Sequence, residues 1–297
     1  MNILLTGGTG FLGYHIAQCC VRKGHRVYGL RRPTSRSLFN AAMERNVHWI
    51  TMQQNTGWEE RVRIAAPDVL IHAAWGGVAA DGRNNAALQQ ENIAMTEAMM
   101  RLAPFRQIIM MGSQDEYGMI SSKVDEDQPL RPLSEYAKAK IACQQRLQAY
   151  AEAKNIEWQW VRIFSVYGPK QGHGWLIPSL IEKCRSGVAE METTPGEQQY
   201  SYLYAEDFAE AVCSMVGKEG KSGIYNLSSE TPVKLRDLFN LVKELTNSSI
   251  TFRPVLPYRE HQSMLILGNA EKLIQTFGPF EHTGLRQGLL SMIRDED

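Results

Sequence analysis

Along the first 165 residues, apolar positions fall into short unbroken runs separated by stretches of helical spacing. The runs are "NILLTG" (2–7), "HRVYGLR" (25–31), "VHWITM" (47–52), "DVLIHAA" (68–74), "QIIMMGS" (107–113) and "WQWVRIF" (158–164). Between them, "HIAQCCVRKG" and "ALQQENIAMTEAMMRLA" bring apolar residues back every three or four positions, as a helix with one buried face does. A strand that is apolar throughout has both faces covered. The alternation therefore predicts an α/β fold in which a parallel sheet lies between helical layers. Such sheets take ligands beyond the carboxyl ends of their strands.

The first turn is "TGGTGFLG". Gly7, Gly10 and Gly13 follow a strand and open a helix, which is the setting a dinucleotide fingerprint requires. Gly7 permits the tight turn, Gly10 lets a pyrophosphate approach the backbone, and Gly13 allows close packing; Thr9, Phe11 and Leu12 complete the cradle. The helix N-terminus then faces the phosphates. This predicts a Rossmann-type, doubly wound sheet with a dinucleotide cofactor. In an NAD site the second strand ends in a carboxylate that accepts bonds from the ribose hydroxyls. Here it ends "YGLRRPTSR", with Arg31 in the acidic position, Arg32 next and Arg36 nearby. Guanidinium groups match a 2′-phosphate, so NADP (as NADPH) is favoured over NAD; the competing reading is a merely solvated strand end.

Length narrows the organisation. A chain of 297 residues buries a large core in one or two domains. The expected division is a dinucleotide-binding domain over 1–165 and a mostly substrate-binding domain over 166–297. A later strand near 223–228 ("GIYNLSS") is placed to return to the main sheet. Lys plus Arg and Asp plus Glu number 32 each, with no long basic run, which argues against nucleic-acid or membrane-surface partners. The start "MNILLTGG" has no signal-peptide layout and no apolar stretch approaches ~20 residues. Five cysteines without CxxC spacing read as reduced thiols of a cytoplasmic protein, with no metal expected.

Candidate chemistry centres on "SEYAKAK" (134–140). Ser134 is a plausible N-cap, and Tyr136 and Lys140 project from one face of the helix behind it. By itself the pair fits an ordinary amphipathic helix. As chemistry, a phenol with pKa near ~10 is a poor acid or base at neutral pH, and a nearby cation favours its phenolate. Ser113, ending the strand "QIIMMGS", lies some twenty residues earlier and is placed to join them.

At this point the chain resembles the extended short-chain dehydrogenase/reductase family of nucleotide-sugar epimerases, dehydratases and ketoreductases. The matching pieces are "TGGTGFLG", "VLIHAAW", "ENIAMTEAM", "GSQDEYG", "YAKAK", "VRIFSVYGP", "LIPSLI", "YLYAEDFAEAV", "YNLSS" and "YREHQSMLILGNAEKL". The resemblance implies Tyr136 as proton donor or base, Lys140 as a ribose ligand that lowers the tyrosine pKa, and Ser113 as a bond to the substrate oxygen. It implies Ala73, Ala74, Asn92 and Phe164 around the nicotinamide half of the cofactor. Ser165, Leu176 and Ile177 fall in segments that contact the sugar nucleotide, and Arg259 resembles a late arginine that reaches the diphosphate. The helices at 86–102 and 135–153 correspond to the family's dimer interface, implying a homodimer.

Departures from the family bear on the reaction. Where 4,6-dehydratases carry Asp-Glu, this chain has Gln114-Asp115, and Gln114 cannot protonate a leaving hydroxyl. Where the family has Arg-Asp for the substrate phosphate, Tyr200 and Ser201 stand. The loop "WGGVAADGR" and the segment "TPGEQ" resemble deoxysugar-nucleotide 4-ketoreductases, making Trp75 either a wall of the sugar pocket or a packing aromatic. Asp115 and Glu116 stay open between roles, His72 and His15 read as structural, and His173 as a loop residue. The expected activity is NADPH-dependent reduction of a 4-keto sugar nucleotide. The alternatives are a 4-epimerase retaining NAD and a non-catalytic NADP sensor.

Overall fold

The computed structural model describes residues 1–79 and 82–295, so Ala80 and Asp81 of the loop "WGGVAADGR" and the last two residues lie outside the described residues. The first half of the chain runs β1 (Asn2–Thr6), α1 (Phe11–Arg22), β2 (Arg26–Arg31), α2 (Ala41–Glu44), β3 (Val47–Thr51), α3 (Trp58–Ala65), β4 (Val69–His72), α4 (Ala86–Met100), β5 (Gln107–Ser113), α5 (Glu135–Lys154) and β6 (Glu157–Ile163). The second half continues β7 (Ser165–Tyr167), α6 (Leu176–Arg185), β8 (Glu190–Glu192), β9 (Gln199–Tyr204), α7 (Ala205–Ser214) and β10 (Gly223–Leu227). It ends β11 (Pro232–Lys234), α8 (Leu235–Leu245), β12 (Thr251–Arg253), β13 (Leu265–Ile266), α9 (Glu271–Phe277) and α10 (Leu285–Asp295).

Seven strands form one parallel, Rossmann-type sheet in the order β10-β6-β5-β4-β1-β2-β3. Its strands are buried on both faces, and the side chains divide by alternation. Ile3, Leu5, Val69, Ile71, Ile109 and Met111 pack into a core with residues of α1, α7 and α9. Leu4, Leu70, Ile108, Met110 and Trp160 join the opposite core with residues of α4 and α5. The order reverses between β1 and β4, so a crevice opens there above the strand ends. Late segments rejoin this sheet: β10 pairs with β6, and α7 packs on α1.

The remaining strands are two or three residues long, apart from β9. That strand gathers β7, β11 and β13 into a small sheet, while β8 pairs with β12. Tyr167, Ile177, Leu180, Leu238, Phe239 and Leu289 form the core beneath it, contributed by β7, α6, α8 and α10.

Candidate active site

The crevice is a cleft of about 490 Å³ between the glycine turn, the ends of β4–β6 and the small sheet. Its floor is the turn after β1. Gly7 has φ +75°, and a Cβ there would lie 2.7 Å from the Ala73 carbonyl carbon and the Ala74 nitrogen. A Cβ at Gly13 would lie 2.1 Å from the Gly7 carbonyl oxygen, so only glycine lets α1 start this close to β1. No side chain caps α1 at Gly10, and its first turn holds no acid. The free N–H groups of a helix's first turn seek an acceptor, and here they open on the cleft with the helix dipole behind them. This cradle fits the pyrophosphate of a dinucleotide.

The catalytic candidates meet above it. Ser113 ends β5, and its Oγ accepts from the Asp115 N–H at 3.2 Å. Tyr136 opens α5, whose first turn is held by the Ser134 Oγ bond to the Ala137 N–H (3.2 Å). The Tyr136 hydroxyl faces Ser113, whose side chain favours the phenolate. Burial pushes the phenol's pKa up, and Ser113 and the charge of Arg83 pull it back. Lys140 is turned to other partners in this structure. Its Nζ donates to the Met111 carbonyl at 2.7 Å, lies 3.5 Å from the centre of the Trp75 ring, and stands 5.6 Å from that of Tyr136. Burial pushes the Lys140 pKa down to about 7. The sequence places Lys140 on the right face, but the β5 carbonyl claims its ammonium.

The cleft is lined by Gly7, Gly10, Phe11, Leu12, Gly13, Ala73, Trp75, Ser113, Tyr136, Phe164, Ser165, Leu176, Ile177 and Tyr200 of the residues the sequence singles out. Trp75 is both wall and packing aromatic: it lines the cleft, supports Lys140 and donates to Gln89 Oε1 at 3.0 Å. Thr9, Ala74, Asn92, Arg31, Arg32, Lys140 and Arg259 stand outside the lining. Asn92 clamps the chain after β4, exchanging two 2.9 Å bonds with the Gly76 backbone. Arg259 is exposed on the Tyr200 side; burial pushes the Tyr200 pKa up, and the Gln262 bond and the charge of Arg259 pull it partly back. Ser201 faces inward, bonded to Ser228.

Arg31 occupies the end of β2, but its Nη1 bonds Glu44 at 2.9 Å and its guanidinium lies over the Trp49 ring. Arg32 and Arg36 are exposed beside it. Glu116 turns away from the cleft into a buried ion pair with Arg162, while Asp115 lines the cleft and pairs with Arg83. Sequence reasoning missed Arg83, Gln171, Trp175 and Tyr202 of the lining. Gln114 Oε1 and Gln171 Oε1 are buried there with no partner among the described residues, acceptors suited to a ligand donor. His72 is buried between Thr6 and Thr96, its pKa pushed down to about 3 by burial and the charge of Lys140. No His, Cys, Asp or Glu cluster among the described residues has metal-binding form, and no helix there is long and apolar enough to cross a membrane.

Residues 3–228 match the NAD dependent epimerase/dehydratase family. A CDP-abequose synthase of Salmonella muenchen is 22% identical over 255 residues, covering 84% of this chain and 82% of the relative. A dTDP-6-deoxy-L-talose 4-dehydrogenase (NAD(+)) of Aggregatibacter actinomycetemcomitans is 23% identical over 282 residues, covering 90% and 99%. The solved UDP-N-acetylglucosamine 4-epimerase of Methanobrevibacter ruminantium M1, in complex with UDP-N-acetylmuramic acid, superposes with TM-score 0.88 at 19% identity, covering 99% and 97%.

Proposed function

The chain belongs to the NAD dependent epimerase/dehydratase family of extended short-chain dehydrogenases/reductases, enzymes of nucleotide-sugar chemistry, and from that premise we propose that it reduces a 4-keto deoxysugar nucleotide with NADPH. Residues 1–165 hold the dinucleotide and residues 166–297 mostly hold the sugar nucleotide. The dinucleotide supplies the hydride. Ser113 bonds the keto oxygen, and Tyr136 donates the proton that completes the alcohol. Lys140 leaves the Met111 carbonyl for the nicotinamide ribose.

Elimination is disfavoured because Gln114 occupies the acid's position and Glu116 is committed to Arg162. The observation that carries NADPH is the arginine at the end of β2, where an NAD enzyme keeps a carboxylate. A second reading, a 4-epimerase retaining NAD, draws on the Arg31–Glu44 pair, which already satisfies that guanidinium. The two separate in a titration of both dinucleotides. A charged-group hydrogen bond is worth roughly 1.5–3 kcal/mol, so wild type should prefer NADPH over NADH by at least about tenfold. Arg31→Asp should shrink or reverse that preference. Equal wild-type affinities would make the epimerase the leading reading.

The same reading includes a homodimer through α4 and α5, which pack on each other and expose the small residues Ala94, Ala98 and Ala149. Association should bury on the order of 1,200 Å² or more. Light scattering at micromolar concentration should give twice the chain mass, and the monomer mass would refute it.

A further inference from the structure

Arg83 and Asp115 are the only charged side chains lining the cleft among the described residues, and neither has a part in the reaction so far. They form an ion pair with each other. The Arg83 guanidinium lies 4.8 Å from the centre of the Tyr136 ring, and the Arg83 carbonyl accepts from the Tyr136 N–H at 2.9 Å. Asp115 donates its N–H to Ser113 Oγ, and Ser113 faces the Tyr136 hydroxyl and favours its phenolate. The contacts close a ring: Ser113, Asp115, Arg83, Tyr136 and back to Ser113. Asn84 Oδ1 adds a further tie, accepting from the Glu135 N–H at 3.3 Å.

We propose that Arg83, anchored by Asp115, is a positioning residue that holds the Tyr136 phenol against Ser113 and supplies the cation facing its phenolate form. A guanidinium stacked on a ring fixes its orientation as well as its charge environment. The inference rests on Tyr136 being the proton donor. The charged groups facing the phenol are few. Lys140 comes from α5 itself but is bound to the Met111 carbonyl. Glu116 comes from the turn after β5 and opposes ionisation, although it is paired with Arg162. Asp115, from the same turn, is neutralised by Arg83. That leaves Arg83, from the connection before α4, as the cation favouring the phenolate. Removing it also frees the Asp115 anion, so both changes push the phenol in the same direction, toward titration at higher pH.

The test reads the phenol directly and needs no substrate. Phenolate ultraviolet absorbance is titrated against pH in full-length protein freed of dinucleotide, the state in which Lys140 keeps its bond to the Met111 carbonyl, and the Tyr136 signal is isolated by subtracting the Tyr136→Phe variant. The same subtraction is made in the Arg83→Gln background. The Tyr136 midpoint should lie about one pH unit higher in Arg83→Gln, and Arg83→Lys, which keeps a cation there, should restore most of the difference. An unchanged midpoint in Arg83→Gln overturns the proposal, as does a shift that Arg83→Lys fails to reverse. Failure of the protein to turn over any keto-sugar nucleotide would count against the proposed reaction, yet this titration would still give its answer.

Discussion

Tyr136→Phe is expected to lower turnover by about 10²-fold or more while leaving dinucleotide affinity nearly unchanged. The phenyl ring fills the same space between Trp75 and the Arg83 guanidinium, so packing at the start of α5 survives. What disappears is the hydroxyl that faces Ser113, the proton donor of the proposed reaction. The glycine cradle lies on a different element and is untouched. Steady-state kinetics with parallel dinucleotide titrations separate the two effects. Turnover within a few-fold of wild type would remove Tyr136 as the acid.

The second large effect is on stability. Arg162 and Glu116 are 2% and 0% exposed and joined Nε to Oε2 at 2.7 Å. Glu116 also accepts from Trp160 Nε1 at 3.0 Å and from the Ser113 N–H at 2.9 Å. Arg162 donates to the Tyr117 hydroxyl and the Glu126 carbonyl. Arg162→Met strands a buried carboxylate, and breaking a buried pair in this way costs about 3–5 kcal/mol. Against a usual stability of about 5–15 kcal/mol that is a large fraction, so the melting temperature should fall by roughly 10 °C. Adding Glu116→Gln should recover part of the loss, because the desolvated charge is then gone. A melting temperature unchanged in Arg162→Met would show that the pair contributes nothing net.

The parts of this protein that sequence makes visible are those built from local constraints. The run "QIIMMGS" is β5 at the residues expected, because a strand covered on both faces must be apolar throughout. The glycine turn is legible because backbone geometry leaves no other residue at Gly7 and Gly13. Ser134 caps α5 as its position before good helix formers implies. Contacts between distant segments were not legible. Arg83 meets Asp115 and Tyr136 only after β5 and α5 are brought together, and nothing in "ADGRNN" marks it. Lys140 was legible as a neighbour of Tyr136 on one helix face, but its bond to Met111 depends on how α5 lies across β5. Glu44, which holds Arg31, sits on a single helical turn that apolar spacing does not announce. The short strands β7, β8 and β11–β13 escape for a related reason: two or three residues carry no alternation to read.

The central claim, reduction by NADPH, is tested most directly by stoichiometry. Purified protein is mixed with a 4-keto-6-deoxy sugar nucleotide and limiting NADPH, and dinucleotide oxidation is followed alongside product. The account predicts one NADPH oxidised for each 4-hydroxy sugar nucleotide formed, with the reaction stopping when NADPH is exhausted. Interconversion of 4-hydroxy sugar nucleotides with no net NADPH oxidation, by protein that carries NAD through purification, would contradict it.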